Sequence, residues 1–424
     1  MEKNQQPLPE QARPESENLS PLSFTVEKSL KNGLGRIGTI KTAHGEIKTP
    51  AFMAVGTTGS VRFLEMSDLK NTGAEAMLSN GYHLRKKSPE IAEAGGLAKY
   101  SGWNGPTLTD SGGFQVMSLG SGLGKVVSMD RKIEKTKKKD RLALVSDRGV
   151  DFTDPFSGER EFIGPEESMQ IQTRIGADIH MAFDELTSLA DDYDYNVRAM
   201  FRTERWAERS LAEHKKIRDS LGYRQNLYGV LQGGRWEDLR RRTARVLGAM
   251  NFDGFGLGGA FLKEDLGKIL RWCNEELPFE KPRHLLGLSR PDDIFVGFEN
   301  GADTLDCVAP TREARHGRIY TKHGEIYLRK FKDSPALLDE DCDCETCRSG
   351  WTRGKLRTLW KSPDLAEKAL YYKLASIHNL RFTIRIFENI RKSVKTHSYD
   401  TYKKDFLENY YGKDEVIRRK LLEK

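Results

Sequence analysis

Three aspartates, Asp110, Asp184 and Asp306, each stand at or near the end of a short apolar run. Asp110 precedes Ser111-Gly112-Gly113-Phe114-Gln115, a tight glycine turn beside an aromatic ring. Asp184 is followed by Glu185, and Asp306 lies in LDCVAPTR shortly before Arg312 and Arg315. Two carboxylates facing a sugar's anomeric carbon suit glycosyl transfer, one attacking to hold a covalent intermediate while the other moves protons. A third, beside a glutamine such as Gln232 and backbone N–H groups, suits the donor and acceptor edge of a purine. Read singly, each aspartate is equally a helix N-cap or a strand-end turn residue. Their recurrence at equivalent places is the stronger signal.

A second set of residues points to a metal. Cys342, Cys344 and Cys347 fall within six positions, and His378 follows in ASIHNLRF. Three thiolates and one imidazole close a tetrahedral shell around Zn²⁺ and leave no position for water, so the ion is structural. His397 and His323 compete with His378 for the fourth place. Cys273 and Cys307, in helix-like and strand-like surroundings, read as packed thiols. Such crowding argues for a metal in a reducing compartment rather than a disulfide framework.

These residues need elements to position them. Eight short apolar runs recur between residues 49 and 310: TPAFMAVG (49–56), AEAMLSNGYH (74–83), GPTLTDSGG (105–113), DIHMAFDE (178–185), NLYGVLQGG (226–234), FDGFGLGG (252–259), RHLLGLS (283–289) and ADTLDCVAP (302–310). Most precede an amphipathic stretch, the plainest being 195–221, 235–250 and 263–277. Apolar runs spaced by helices predict parallel strands buried on both faces. Eight such units predict an α/β fold, a (β/α)8 TIM barrel, with an open doubly wound sheet as the alternative. In either, reactive residues gather at the C-terminal strand ends. Those ends carry Asn80, Asp110, Asp184, Gln232, Gly258-Gly259 and Asp306.

Two stretches break the rhythm: an excursion around 116–164, and the cysteine cluster with a helical tail from Pro363 to Lys424. The excursion contains RKIEKTKKKDR (131–141), with seven Lys or Arg in eleven positions, a solvated face or a phosphate-contacting arm. The expected division is a disordered tail (1–20), a catalytic barrel (21–335), a zinc-binding subdomain (336–380) and a C-terminal helical segment packing on the barrel (381–424). With 424 residues the chain can bury a large core, and 69 basic against 62 acidic residues leave a net charge of +7 that fits a polyanionic partner. Residues 1–20 are polar and lack the apolar core of a signal peptide, and no apolar run approaches the roughly 20 residues that span a bilayer. The expected location is cytoplasmic.

The motifs DSGGFQVMSLG (110–120), MAFDE (181–185), LQGG (231–234), FDGFGLGG (252–259), LDCVAPTREARHG (305–317) and CDCETC with IHNL (342–380) resemble, in order, bacterial tRNA-guanine transglycosylases. The resemblance runs from about Phe24 to near the C-terminus. It implies a TIM barrel with a zinc-binding subdomain inserted after the eighth strand. It also implies exchange of guanine at the wobble position of tRNAs with GUN anticodons for a 7-deazaguanine, preQ1 or queuine. By resemblance Asp306 is the nucleophile and Asp110 the general acid/base. Asp184, Gln232, Gly258 and Gly259, with Ser111, read the purine, and Phe114 and Leu286 sandwich it. Asn80 orients the carboxylates, and Arg290, Arg312 and Arg315 hold the RNA. One structural Zn²⁺ per chain and a homodimer are implied, the latter partly through an aromatic like Trp351.

The chain departs from the bacterial pattern at Leu186, at Ala260-Phe261-Leu262, at Leu286 and at Ser289. These positions are expected to line the pocket for the 7-substituent, and the bulk of Leu262 points toward preQ1. Four other readings stand beside this one: base exchange in the tRNA D-loop, exchange in DNA, a non-catalytic RNA-binding relative, and a barrel glycoside hydrolase. Both catalytic aspartates are present, which argues against a non-catalytic relative.

Overall fold

The computed structural model describes residues 22–120, 143–155 and 157–413. The tail 1–20 and the Lys-rich stretch 131–141 fall outside the described residues. The first described element is an antiparallel sheet, β1 (Ser23–Ser29), β2 (Arg36–Thr42) and β3 (Gly45–Thr49), which the apolar runs do not anticipate. Its β1 strand alternates exposed and half-buried residues and so carries no continuous apolar run. Then come β4 (Ala51–Val55), β5 (Met77–Asn80) and β6 (Thr107–Asp110). A second antiparallel sheet, β7 (Ala143–Val145), β8 (Val150–Thr153) and β9 (Arg160–Ile163), occupies the described part of the excursion. The series resumes with β10 (Ile179–Met181), β11 (Asn226–Leu231), β12 (Gly254–Leu257), β13 (Arg283–Leu285) and β14 (Thr304–Asp306), and ends in the hairpin β15 (Arg318–Thr321) and β16 (Gly324–Tyr327).

Strands β4, β5, β6 and β10–β14 close into one parallel barrel, with β14 paired back to β4. All eight lie within the eight predicted runs, and the open-sheet alternative is excluded by that closing pair. The barrel interior is filled by Met53, Leu78, Leu108, Met181, Tyr228 and Val230, with Ile40 and Ile47 of the N-terminal sheet joining them. This is the layered side-chain packing that makes such barrels a core rather than a pore. The N-terminal end is also tied by Arg36, whose guanidinium grips Asp303 through Nε–Oδ1 (2.9 Å) and Nη2–Oδ2 (2.7 Å), both side chains being fully buried.

Outside the barrel, helices such as Tyr193–Ile217 and Glu237–Gly248 cover the strands. After β14 the short helix Ala309–Arg315 leads to the β15–β16 hairpin and the cysteine segment. The 31-residue helix Leu365–Lys395 then returns to the barrel wall, where Phe387 meets Phe52 of β4 at 6.1 Å. The cysteine segment is thus inserted between the last strand and the helix that covers it. A boundary at 380/381 does not survive as a break, because this helix runs unbroken through it: backbone bonds continue from one side to the other. The predicted helical tail does break near His397, which has φ 59°, before the helix Tyr399–Tyr411. Residues 414–424 lie outside the described residues.

Candidate active site and metal centre

Asn80 and Asp110 end adjacent strands β5 and β6 in register, which brings their side chains together at the C-terminal mouth. Asn80 Nδ2 donates to Asp110 Oδ2 (2.5 Å), while Asp110 Oδ1 accepts from the Gly81 and Gly112 N–H groups (3.0 and 3.1 Å). Those bonds favour the carboxylate, but burial outweighs them. Together with the nearby negative charge of Asp306, it pushes the Asp110 carboxyl up to about 7. A group with that affinity can give and take a proton near neutrality.

Asp306 ends β14 and is 8% exposed. Its Oδ1 accepts from the Gly287 N–H (3.0 Å) and lies 3.2 Å from His284 Nε2. His284 Nδ1 in turn lies 2.9 Å from Thr304 Oγ1, so the ring is held at both nitrogens. One carboxylate oxygen is therefore anchored. His284 was missed from the sequence, where it reads as an ordinary residue of RHLLGLS; its contact depends on the pairing of β13 beside β14.

Asp184 stands three residues beyond β10. Its carboxylate accepts from Gln232 Nε2 (2.7 Å) and more loosely from Ser111 Oγ (3.4 Å), and burial raises its pKa to about 6. Gly258 and Gly259 follow β12. A side chain on Gly259 would meet Arg240 Nη2 at 2.5 Å and Gln232 Oε1 at 3.1 Å, and its φ of +114° also favours glycine. Leu286 Cδ1 closes on Gly256 and Gly258, within 3.6 and 3.2 Å of where their side chains would start. Phe114, on the helix Gly113–Gly120, is 43% exposed and free to offer a flat apolar face. The structure thus joins Asp184, Ser111, Gln232, Gly258, Gly259 and Leu286 in one contiguous group at the barrel mouth. Of the departing positions, Leu186 packs with the Tyr82, Val116 and Phe183 cluster beneath the excursion. Ala260, Phe261 and Ser289 are buried, and Leu262 is half-buried.

Arg312 and Arg315 lie on the helix directly after Asp306. Burial and the neighbouring charges of Arg62 and Arg312 hold the Arg315 guanidinium below its usual pKa. Arg62, absent from the sequence expectation, therefore belongs to the same positive patch. It precedes Phe63, whose φ of 69° is unusual for a bulky residue and whose ring packs on Tyr372 at 4.7 Å. Arg290 keeps different company: it precedes the helix Pro291–Glu299 and feels Asp293, Glu325 and Asp292.

The cysteine segment folds the four expected ligands into one buried group. The Sγ atoms of Cys342, Cys344 and Cys347 and a ring nitrogen of His378 lie within 4.8 Å of one another. His378 Nδ1 approaches Cys344 Sγ (3.5 Å) and Cys347 Sγ (3.3 Å), and Nε2 meets the Tyr320 carbonyl (2.7 Å). A tetrahedral Zn²⁺ with bonds of about 2.3 Å to sulfur needs ligands roughly 3.8 Å apart, so the donor set fits. The carbonyl on the far nitrogen fixes the ring for a metal on the near one. His397 instead meets Lys28 Nζ at 3.0 Å, and His323 is not in the cluster. Cys273 is fully buried as expected; Cys307 is half-buried, its Sγ 3.3 Å from the Gly287 carbonyl.

A parallel barrel with carboxylates of raised proton affinity at its C-terminal mouth and arginines on the adjoining helix defines a (β/α)8 enzyme. Comparison with known proteins gives the family. Residues 31–412 match the family model described as queuine tRNA-ribosyltransferase, and the chain belongs to that family of transferases. It is 38% identical over 402 residues to the queuine tRNA-ribosyltransferase of Fusobacterium nucleatum, covering 93% of this chain and 99% of that protein. The proteins of the same name from Caldanaerobacter subterraneus and Thermoanaerobacter pseudethanolicus are 37% and 39% identical over 404 residues, each covering 94% of this chain and 100% of the relative. No helix among the described residues is long and apolar enough to cross a membrane.

Proposed function

We propose that this protein exchanges guanine at the wobble position of tRNAs with GUN anticodons for a 7-deazaguanine base. The observation that carries the reading is the contrast between Asp110 and Asp306. Asp110 has its proton affinity raised to about 7, partly by the charge of Asp306, whose own Oδ1 is anchored by the Gly287 N–H. The other oxygen of Asp306, Oδ2, attacks the ribose anomeric carbon, the bond from that carbon to guanine breaks, and its electron pair leaves with the base. Asp110 gives its proton to the departing guanine and takes one from the incoming base, which attacks the same carbon and frees Asp306. Asn80 orients Asp110. Asp184, Gln232 and the Gly259 N–H read the purine edge, with Phe114 and Leu286 across its faces. The target nucleotide must leave its stack to reach this pocket, and Arg312, Arg315 and Arg290 hold its neighbours. Cys342, Cys344, Cys347 and His378 would hold one Zn²⁺, which would supply fold rather than chemistry. The incoming base is preQ1 or queuine, and the working form is a homodimer in the cytoplasm.

The test is covalent trapping. Mixed with an anticodon stem-loop, the wild type should give a denaturation-resistant protein–RNA adduct. Asp306→Asn should give none while still retarding the RNA on a native gel. An adduct that persists in Asp306→Asn places the nucleophile elsewhere.

A further inference from the structure

Arg240 is fully buried on the helix Glu237–Gly248, yet no carboxylate lies within ion-pair distance of it among the described residues. Its hydrogen bonds go to backbone carbonyls instead. Nε donates to Gly234 (2.8 Å), and Nη1 donates to Leu231 (3.1 Å) and to Gly258 (2.9 Å). These carbonyls bracket Gln232-Gly233 on one turn and precede Gly259 on the next. One guanidinium thus fastens together both turns that carry the donors of the purine pocket. Nη2 has no hydrogen-bond partner among the described residues, and it lies 2.5 Å from where a side chain on Gly259 would begin. Phe261 covers the guanidinium from the side, its ring centre 5.7 Å away.

A buried cation without a counter-charge costs stability. Arginine stays protonated in such a place where lysine would give up its proton. A fold that needed only to join two turns could do so with a neutral amide. What the charge adds is a positive potential, in a low-dielectric wall, directly behind Gln232 and Gly259. When the bond to the sugar breaks, the electron pair left on guanine spreads toward its carbonyl oxygen, which the proposed pose sets against the Gly259 N–H.

We propose that Arg240 is a positioning residue for base departure, which fixes both base-reading turns and stabilises the negative charge that the leaving purine acquires. This rests on the transglycosylase reading of the pocket. Preorganised charge aimed at developing charge acts on the turnover step more than on binding of the large substrate.

The experiment compares wild type, R240K and R240M by thermal melting, by kcat and KM for guanine exchange on an anticodon stem-loop, and by calorimetric titration with free guanine. R240M should lose about 100-fold in kcat, with the KM for RNA changed less than about 3-fold. R240K, which loses the fork and, buried without a counter-charge, gives up its proton, should recover little of that kcat. R240M should also bind free guanine about 10-fold more weakly, through loosened turns. Wild-type kcat in R240M, or in R240K, would overturn the proposal. If R240M fails to fold, R240K carries the test, and wild-type kcat and guanine affinity in R240K would overturn the role. Failure of the wild type to exchange guanine at all would count against the transglycosylase reading. The guanine titration would still judge the clamp, and equal affinities across the three proteins would overturn it.

Discussion

The two ends of the barrel treat their aspartates in different ways. At the N-terminal end, Asp303 is gripped by both sides of the Arg36 guanidinium and also accepts from the Arg283 N–H (2.8 Å). Asp178 there accepts from the Thr107 N–H (2.8 Å), the Thr107 hydroxyl (3.1 Å) and the His44 N–H (3.1 Å). At the C-terminal end, Asp110 and Asp184 are half-buried, have no ion-pair partner among the described residues, and are pushed by desolvation up to about 7 and about 6. The same strands carry both kinds, for Asp178 precedes β10 and Asp184 follows it, while Asp303 precedes β14 and Asp306 ends it. What separates them is compensation: the N-terminal aspartates are tied into the fold by paired groups, and Asp110 and Asp184 are partly exposed and lack a paired cation among the described residues, as the proposed chemistry requires.

The largest effect should come from the element that touches both ends. Helix Leu365–Lys395 carries His378, reaches the C-terminal side through Asn379 Nδ2 to the Pro310 carbonyl (3.0 Å), and reaches the N-terminal side through Arg391 to the Pro50 carbonyl (2.7 Å). Cys344→Ala should abolish stoichiometric zinc by elemental analysis. It should also lower melting temperature and exchange together, since binding of a structural zinc contributes about 10 kcal/mol or more to local folding. Full metal content in that variant would remove the site as drawn. Next in size, Arg36→Met leaves Asp303 buried and unpaired and should cost about 3–5 kcal/mol in denaturant unfolding. Its exchange rate per folded molecule should stay close to wild type; a specific loss of rate would blur the distinction between the two ends. The smallest effect is a pH dependence. Asp110 must hold its proton to release guanine, so single-turnover adduct formation should decline as pH rises through about 7. A rate flat across that region would detach Asp110 from proton transfer.

Much of this was legible in the sequence, because apolar runs buried on both faces leave a clear pattern and their polar ends mark the mouth of the barrel. All eight runs contain a barrel strand, and Asn80, Asp110 and Asp306 are the last residues of theirs. The three cysteines of the candidate metal centre were legible from spacing, while the choice of His378 over His397 and His323 needed the fold. What was not legible depends on register or on the phase of a single helix. His284 touches Asp306 only because β13 and β14 pair as they do. Arg240 sits in the run Arg240-Arg241-Arg242, which looks like a solvated face. Yet positions 240, 243, 244 and 247 form the buried stripe of that helix, so its phase held the clue. The sheets β1–β3 and β7–β9 were missed because short half-exposed strands lack the apolar runs that revealed the barrel.

The most direct test of the contrast is the melting temperature at pH 8 of Asp110→Asn beside Asp303→Asn. A carboxyl whose pKa rises from 3.8 to about 7 on folding favours the folded state only while protonated, so its ionisation withdraws stability as pH climbs from about 4 to about 7. Asp110→Asn removes that penalty and should melt at or above the wild type while losing exchange. Asp303→Asn loses half of a buried pair and should melt several degrees lower. If Asp110→Asn melts as far below the wild type as Asp303→Asn, both ends of the barrel are structural in the same sense, and the division of labour between them is wrong.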